Sequence, residues 1–218
     1  MRGGAGYTWR DMWSVAILSC GPQLEVALSG RASAVPSVVR LAGTSPRSTL
    51  LLAALDLLVE DAQIERAEIS QVVVSRGPGS FTGIRAGLAT AEGLAAALGA
   101  KVLACSSLLV QAARCEGPGE VWAAQPGRRG EVYAQRFRIE PDGPPVGQTG
   151  VEVLPVAALA ARGPWTAAER LDLGGAARCT PVRTGAEALL WLAERGAAGD
   201  PVEPVYVEGP PVAVPGDG

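Results

Sequence analysis

Between Ser75 and Arg85 the chain reads Ser-Arg-Gly-Pro-Gly-Ser-Phe-Thr-Gly-Ile-Arg. A β-branched run, Gln71 to Ser75, precedes it, and an apolar segment with helical spacing, Ala86 to Leu98, follows. That order predicts a strand, a tight glycine loop and a helix start. Gly77 and Gly79 open backbone angles closed to other residues, and Pro78 stiffens the turn between them. Ser80 or Thr82 supplies an oxygen to cap the helix N-terminus. Two readings of the loop stand side by side. One is a close-packed strand-to-helix turn. The other is an anion site, since a glycine loop before a helix presents N–H groups and a positive dipole end. The loop lacks the Lys-Ser/Thr pair of a P-loop and the glycine spacing of a dinucleotide fingerprint.

Composition removes several chemistries. The chain has 218 residues and no histidine, which excludes Ser-His-Asp and Cys-His catalysis, HExxH metal sites and histidine pH switching. The four cysteines, Cys20, Cys105, Cys115 and Cys179, form no CxxC pair, so zinc and thioredoxin-like chemistry are not indicated; they read as buried thiols of a reducing compartment. A net charge of −3 leaves no electrostatic footprint for direct nucleic-acid binding. Arginine carries all the positive charge except for Lys101. No apolar run approaches a membrane span. Ile17-Leu18-Ser19-Cys20 faintly resembles a lipoprotein cleavage site, but the apolar run before it is short and Asp11 lies against it; a first strand over Trp13 to Ser19 is the expected alternative, with residues 1–11 a disordered leader and Met12 a candidate start.

In order, the chain reads as a strand at Trp13 to Ser19, a turn at Gly21-Pro22, a return strand at Leu24 to Ser29, and a third strand at Val35 to Leu41 with Pro36 near its start. A helix spans Ser48 to Glu60. Strand Val72 to Val74, the glycine loop and the helix to Leu98 follow. Gly99 ends that helix, Lys101 to Cys105 is a strand, and Ser106-Ser107 cap a helix to about Cys115. A glycine/proline break at Glu116 to Glu120 divides an N-terminal lobe, 12–115, from a smaller C-terminal lobe and tail, 116–218. In the second lobe Glu120 to Ala124 and Glu131 to Ile139 form a hairpin. Short elements at Val151 to Leu154, Val156 to Ala161 and Leu171 to Leu173 precede a helix at Gly185 to Arg195. The expected fold is therefore α/β, with two lobes of mixed sheet flanked by helices. Both long helices of the first lobe are apolar nearly all round. That requires either a second layer from this chain or a partner protein.

Several segments together resemble the TsaB (YeaZ) family. The most specific is Arg76 to Gly87, RGPGSFTGIRAG. Ala91-Glu92-Gly93-Leu94-Ala95, Cys105-Ser106-Ser107-Leu108, Arg129-Gly130-Glu131-Val132-Tyr133 and Pro204-Val205-Tyr206-Val207 follow in order. The resemblance extends from Trp13 to about Val212. It implies two ribonuclease-H/actin-like lobes, a degenerate ASKHA-type ATPase fold akin to the M22-like glycoproteases. It also implies a cytoplasmic, non-catalytic scaffold or dimerisation subunit of the machinery that installs threonylcarbamoyl on adenosine 37 of tRNA (t6A modification). The partners implied are a catalytic TsaD-type subunit, a TsaE-type ATPase and a second copy of the chain, with tRNA met only through the complex. No cofactor would be held tightly by this chain; ATP/ADP and metal belong to the partner subunits.

Within that resemblance Gly77, Pro78, Gly79, Ser80, Phe81, Thr82 and Gly83 form the loop and helix start. Ile84, Gly87, Leu88, Ala91, Leu94, Leu51 and Leu55 are candidate partner contacts on the two long helices. Arg76 and Arg85 flank the loop as candidate nucleotide contacts at the partner junction. The chain also departs from the family pattern. Leu18-Ser19-Cys20 stands where relatives end the first strand in Asp-Thr-Ser, Arg47-Ser48-Thr49 replaces His-Ser-Glu, Pro126 replaces an aspartate, and Glu208 replaces an arginine. Leucine cannot bind a hard cation, which takes oxygen ligands. The alternative function is an ATP-dependent kinase or ATPase of the actin-like superfamily, with Glu92 and Glu131 as its few candidate carboxylates. A peptidase or acyl-transfer hydrolase built on Ser80 or a cysteine lacks a base, since there is no histidine and the one lysine, Lys101, is expected at the far end of the helix.

Overall fold

The structure is a computed structural model. It describes residues 12–30, 35–43, 47–128, 130–167, 179–199 and 202–207. The expected leader at 1–11, the strand expected at Leu171 to Leu173, and residues Arg129 and Glu208 lie outside the described residues.

Two five-stranded sheets organise the described residues. The first has strand order β3-β2-β1-β4-β5, from β1 (Trp13–Leu18), β2 (Leu24–Ser29), β3 (Ser37–Leu41), β4 (Ile69–Ser75) and β5 (Lys101–Cys105). The first three strands are antiparallel neighbours, and β1, β4 and β5 run parallel. Parallel neighbours need crossover helices. Helix α1 (Arg47–Asp61) and helix α2 (Phe81–Leu98) supply them.

Side-chain alternation along β1 divides the helices between the faces of this sheet. Ser19, just past the strand end, meets α2 at Gly87, whereas Leu18 meets Gly185 at the start of helix α5 (Gly185–Glu194). So α1 and α2 cover one face and α5 covers the other. The α5 side of the sheet is built of small buried residues, among them Ser14, Ala16 and Ala27, which let a helix backbone close on it. Caps define the helices. The Ser80 and Thr184 hydroxyls accept from the N–H groups of Gly83 and Glu187, and Gly99 at φ 66° ends α2 in the left-handed region.

The second sheet has the order β10-β6-β7-β8, with β9 also paired to β7. Its strands are β6 (Gly119–Pro126), β7 (Glu131–Ile139), β8 (Val146–Gly147), β9 (Glu152–Pro155) and β10 (Trp165–Ala167). One face packs Trp122, Val132 and Trp165 around Leu159 of helix α4 (Val156–Ala160). The other packs Val121, Ala123, Phe137 and Ile139 under Leu108 and Ala112 of helix α3 (Ser107–Ala113). Helix α3 also touches α5 and so joins the two lobes.

The α/β class and the two mixed sheets with flanking helices are as expected from the sequence. The observed lobes do not divide at 116, however. Helix α5 lies beyond that point, yet Ala186, Ala188, Leu189, Leu190, Leu192 and Ala193 belong to the core of the first lobe. The first sheet has two apolar faces, and α1 and α2 cover only one of them. The C-terminal helix returns to cover the other.

Candidate functional site at the glycine loop

The loop from Arg76 to Ser80 is held from four directions by backbone and hydroxyl hydrogen bonds. Arg76 N donates to Cys105 O at 2.9 Å, and Ser80 N donates to Cys20 O at 2.8 Å. Ser107 N donates to Gly77 O at 2.8 Å, while its hydroxyl donates to Pro78 O. From the C-terminal segment, Val205 N donates to Arg76 O at 2.7 Å. The Gly77–Pro78 peptide is cis, and Gly77 and Gly79 have φ of 97° and 150°. A Cβ on Gly77 would lie 2.7 Å from both Ile84 Cδ1 and Val205 O, and one on Gly79 would lie 2.4 Å from Cys20 O. These glycines are therefore filled in by neighbouring protein atoms. They do not line an open phosphate cradle. Ser80 N and Gly83 N already have acceptors.

The start of α2 is tied to the end of β1. Ser19 Oγ donates to Gly83 O at 2.7 Å, and the Cys20 thiol lies 3.2 Å from Ser75 Oγ. Phe81 and Thr82 form the first turn; Thr82 is exposed. The Arg85 guanidinium sits 4.8 Å over the Phe81 ring, and that ring packs on Tyr206 at 5.1 Å. Arg85 is exposed and Arg76 is half-buried near Cys105. The approach of Tyr206 carried no signal in the sequence beyond the apolar run at Pro204 to Val207.

The candidate partner contacts need correction. Ile84, Gly87, Leu88, Ala91, Leu51 and Leu55 are buried within this chain's own core, and Leu94 packs half-buried against it. Gly87 faces inward so closely that a Cβ would lie 2.2 Å from Ser19 Oγ. The outward surface of the same two helices uses other residues. Leu52 and Leu57 are 49% and 57% exposed on α1. Ala53, Asp56 and Glu60 are also exposed on α1, and Ala89, Gly93, Ala96 and Ala97 on α2, whose exposed charges are Arg85 and Glu92.

A small pocket lies beside the end of β1. Leu18, Gly21, Pro22, Gln23, Glu25, Gln111 and Arg114 line it. Leu18 is buried, and a Cβ on Gly185 would come within 2.2 Å of its Cδ2. The carboxylate in this pocket is already engaged: Glu25 Oε2 accepts from Ala186 N at 2.8 Å, and Oε1 lies 3.5 Å from Arg40 Nε. This is a buried acid at a helix N-terminus, where the dipole favours negative charge. Arg114 is buried too, donating to Gln111 Oε1 at 2.9 Å and to Arg183 O at 3.1 Å. Nothing in the sequence marks Glu25, because an acid in a hairpin strand is ordinarily a surface charge. Glu131 opens β7 as expected, and Lys101 is exposed at the start of β5.

A family model described as "TsaD: tRNA N6-adenosine threonylcarbamoyltransferase" matches residues 45–143. An uncharacterised protein of Mycobacterium tuberculosis is 35% identical over 159 residues, covering 71% of this chain and 72% of that one. The Escherichia coli "tRNA threonylcarbamoyladenosine biosynthesis protein TsaB" is 37% identical over 79 residues, 35% of this chain and 34% of that protein. The solved structure "YeaZ from Pseudomonas aeruginosa" superposes with a TM-score of 0.71 at 23% identity, covering 90% of this chain and 100% of that one. The chain belongs to the TsaB (YeaZ) family. Within the family, sequence similarity is uneven in extent: the chain spans 33% of the length of the Mycobacterium leprae relative it matches. The segment that carries the resemblance most specifically runs from Arg76 to Gly87. Its glycines here serve close approach to Cys20, Ile84, Val205 and Ser19.

Proposed function

We propose that this chain is a non-catalytic scaffold subunit in the biosynthesis of threonylcarbamoyladenosine on tRNA, acting in the cytoplasm through a TsaD-type catalytic partner. The observation that carries the reading is Leu18. The end of β1 is where the superfamily resemblance requires an acid, and here a buried leucine packs on Gly185. The residues of the pocket beside the end of β1 do not fit a magnesium–nucleotide group. A hard cation needs oxygen ligands, and the pocket's carboxylate, Glu25, is occupied by the α5 N-terminus and Arg40. No step of catalysis is assigned to this chain.

The surface offered to a partner is the outward face of α1 and α2, with Leu52 and Leu57 at the two edges of the exposed arc of α1. Fully burying a leucine is worth about 1.5–3 kcal/mol, so two half-exposed leucines supply an anchor. The small residues Ala89, Gly93 and Ala96 let a facing helix come close. The same face serves for pairing with a second copy when the TsaD-type subunit is absent. A TsaE-type ATPase would complete the assembly, and tRNA would meet the complex and not this chain alone.

The test is co-purification of the full chain with the TsaD-type subunit of its own organism, with ATP and the TsaE-type subunit present. Co-elution at micromolar concentration is expected. Separate elution under those conditions contradicts the reading. Calorimetric titration of the isolated chain with Mg-ATP addresses the alternative of an ATP-dependent enzyme. No heat of binding is expected; tight binding with turnover would replace the scaffold reading.

A further inference from the structure

Cys115 and Cys179 are 64 positions apart in sequence and adjacent in the fold. Cys115 follows α3 and is buried among Val121, Ala123, Phe137 and Ile139. Cys179 packs on the edge of that cluster and is partly exposed. Their thiols lie close enough to act on each other's ionisation, and both are free. The backbone holds this pairing in place. Cys179 N donates to Trp165 O at 2.8 Å, and Val182 N donates to Arg114 O at 2.9 Å. Arg183 Nη1 donates to Ala113 O at 3.1 Å, and Arg114 Nε returns a bond to Arg183 O at 3.1 Å. The 179–183 segment is thus clipped along the end of α3, which holds Cys179 against the cluster that contains Cys115.

We propose that Cys115 and Cys179 are a peroxide-oxidised thiol pair that closes to an intramolecular disulfide. Cys179 is the attacking member because it is the one solvent reaches. Its thiol is lowered from the ordinary cysteine value to about 7, chiefly because Cys115 S–H donates to it against the opposing effect of burial. Cys115 is pushed up by that same bond and by burial, so it keeps its proton until it resolves the intermediate. The Cys179 thiolate attacks one oxygen of hydrogen peroxide. The O–O bond breaks, Cys179 becomes the sulfenic acid S–OH, and hydroxide leaves to take up the proton Cys179 released. The Cys115 sulfur then attacks the Cys179 sulfur. The S–S bond forms, the S–O bond breaks, and the Cys115 proton departs with the hydroxyl as water. Two thiols and one peroxide give one disulfide and two waters. The bond would lock the α3 end, which packs on the second sheet, to the segment leading into α5, which packs on the first.

The other two cysteines serve as internal controls. Cys105 is buried, with its thiol pushed up to about 12 by desolvation, and Cys20 is buried against Ser75. The experiment exposes the full native chain to hydrogen peroxide, blocks remaining thiols, digests with trypsin and reads disulfides by mass spectrometry without reductant. The expected product joins peptide 115–128 to peptide 179–183 and is reversed by dithiothreitol. In native protein, iodoacetamide is expected to label Cys179 at least about tenfold faster than Cys20 or Cys105. In Cys115→Ser, the sulfenic acid persists on Cys179 and is captured by dimedone. Cys179 disulfides between two chains, or Cys179 sulfinic acid with Cys115 still a thiol, would overturn the proposal.

Discussion

Ser19 and Gly87 face each other across the junction of β1 and α2 so tightly that no Cβ fits between them: it would lie 2.2 Å from the Ser19 hydroxyl oxygen. The same hydroxyl donates to Gly83 O at 2.7 Å. One serine thus fixes where the helix after the glycine loop sits on the first sheet. That contact makes Gly87 a packing residue of this chain.

Gly87→Ala is expected to destabilise the chain. Alanine gains up to about 1 kcal/mol of helix propensity over glycine, but overpacking a tight contact costs about 1–3 kcal/mol, and the clash with Ser19 decides the sign. Urea unfolding measures it. The double variant Ser19→Ala with Gly87→Ala is expected to lose less than the sum of the singles, by about 1 kcal/mol or more. Strict additivity would show that the two residues do not press on each other. Gly87→Leu is expected to prevent folding, where a purely interfacial glycine would have tolerated it.

Glu25→Gln tests the buried acid at α5. It keeps the shape but removes the charge that faces Ala186 N and Arg40. Losing a charge-assisted buried hydrogen bond costs about 1.5–3 kcal/mol, so the unfolding free energy is expected to fall by that amount, read as a lower urea midpoint with an unchanged slope. An unchanged midpoint would mean that α5 does not depend on this carboxylate.

Alkaline pH is expected to destabilise the chain through Cys105. Burial pushes its folded-state thiol up from 9.0 to about 12, against the smaller opposing pull of Arg76. Above the unfolded value the unfolded chain has lost that proton while the folded chain keeps it. The stability this thiol contributes is therefore full below pH 9 and is lost as pH rises towards 12. Thermal unfolding followed from pH 8 to pH 10.5 should show a falling midpoint, and Cys105→Ala should flatten that fall. An equal slope in the variant contradicts the assignment.

Much of this fold was legible in the chain. The Val72 to Val74 run, the Gly77-Pro78-Gly79 loop, the Ser80 cap and Gly99 mark their elements by local chemistry, and the structure places each within a few residues of expectation. The facing of the long helices was not legible. Both α1 and α2 are apolar nearly all round, so periodicity could not separate the core side, with Leu51, Leu55 and Ile84, from the outward side with Leu52 and Leu57. Long-range choices were hidden for another reason. The return of α5 to the first sheet, the parallel pairing of β10 with β6, and the meeting of Cys115 with Cys179 are set by tertiary packing between distant segments. No spacing in the sequence encodes them. Glu25 was hidden because its partner, a backbone N–H of Ala186, carries no residue signature.

The most direct test of the scaffold reading is the pairing of Leu52→Asp/Leu57→Asp with the TsaD-type subunit, measured by sedimentation velocity beside the unaltered chain. Both leucines are half-exposed, so the unfolding free energy of the free variant is expected to stay within about 1 kcal/mol of the parent. The unaltered chain is expected to sediment with the partner, and the variant apart from it. A variant that folds normally and still sediments with the partner would contradict the claim that the outward face of α1 and α2 is what this protein is built to present.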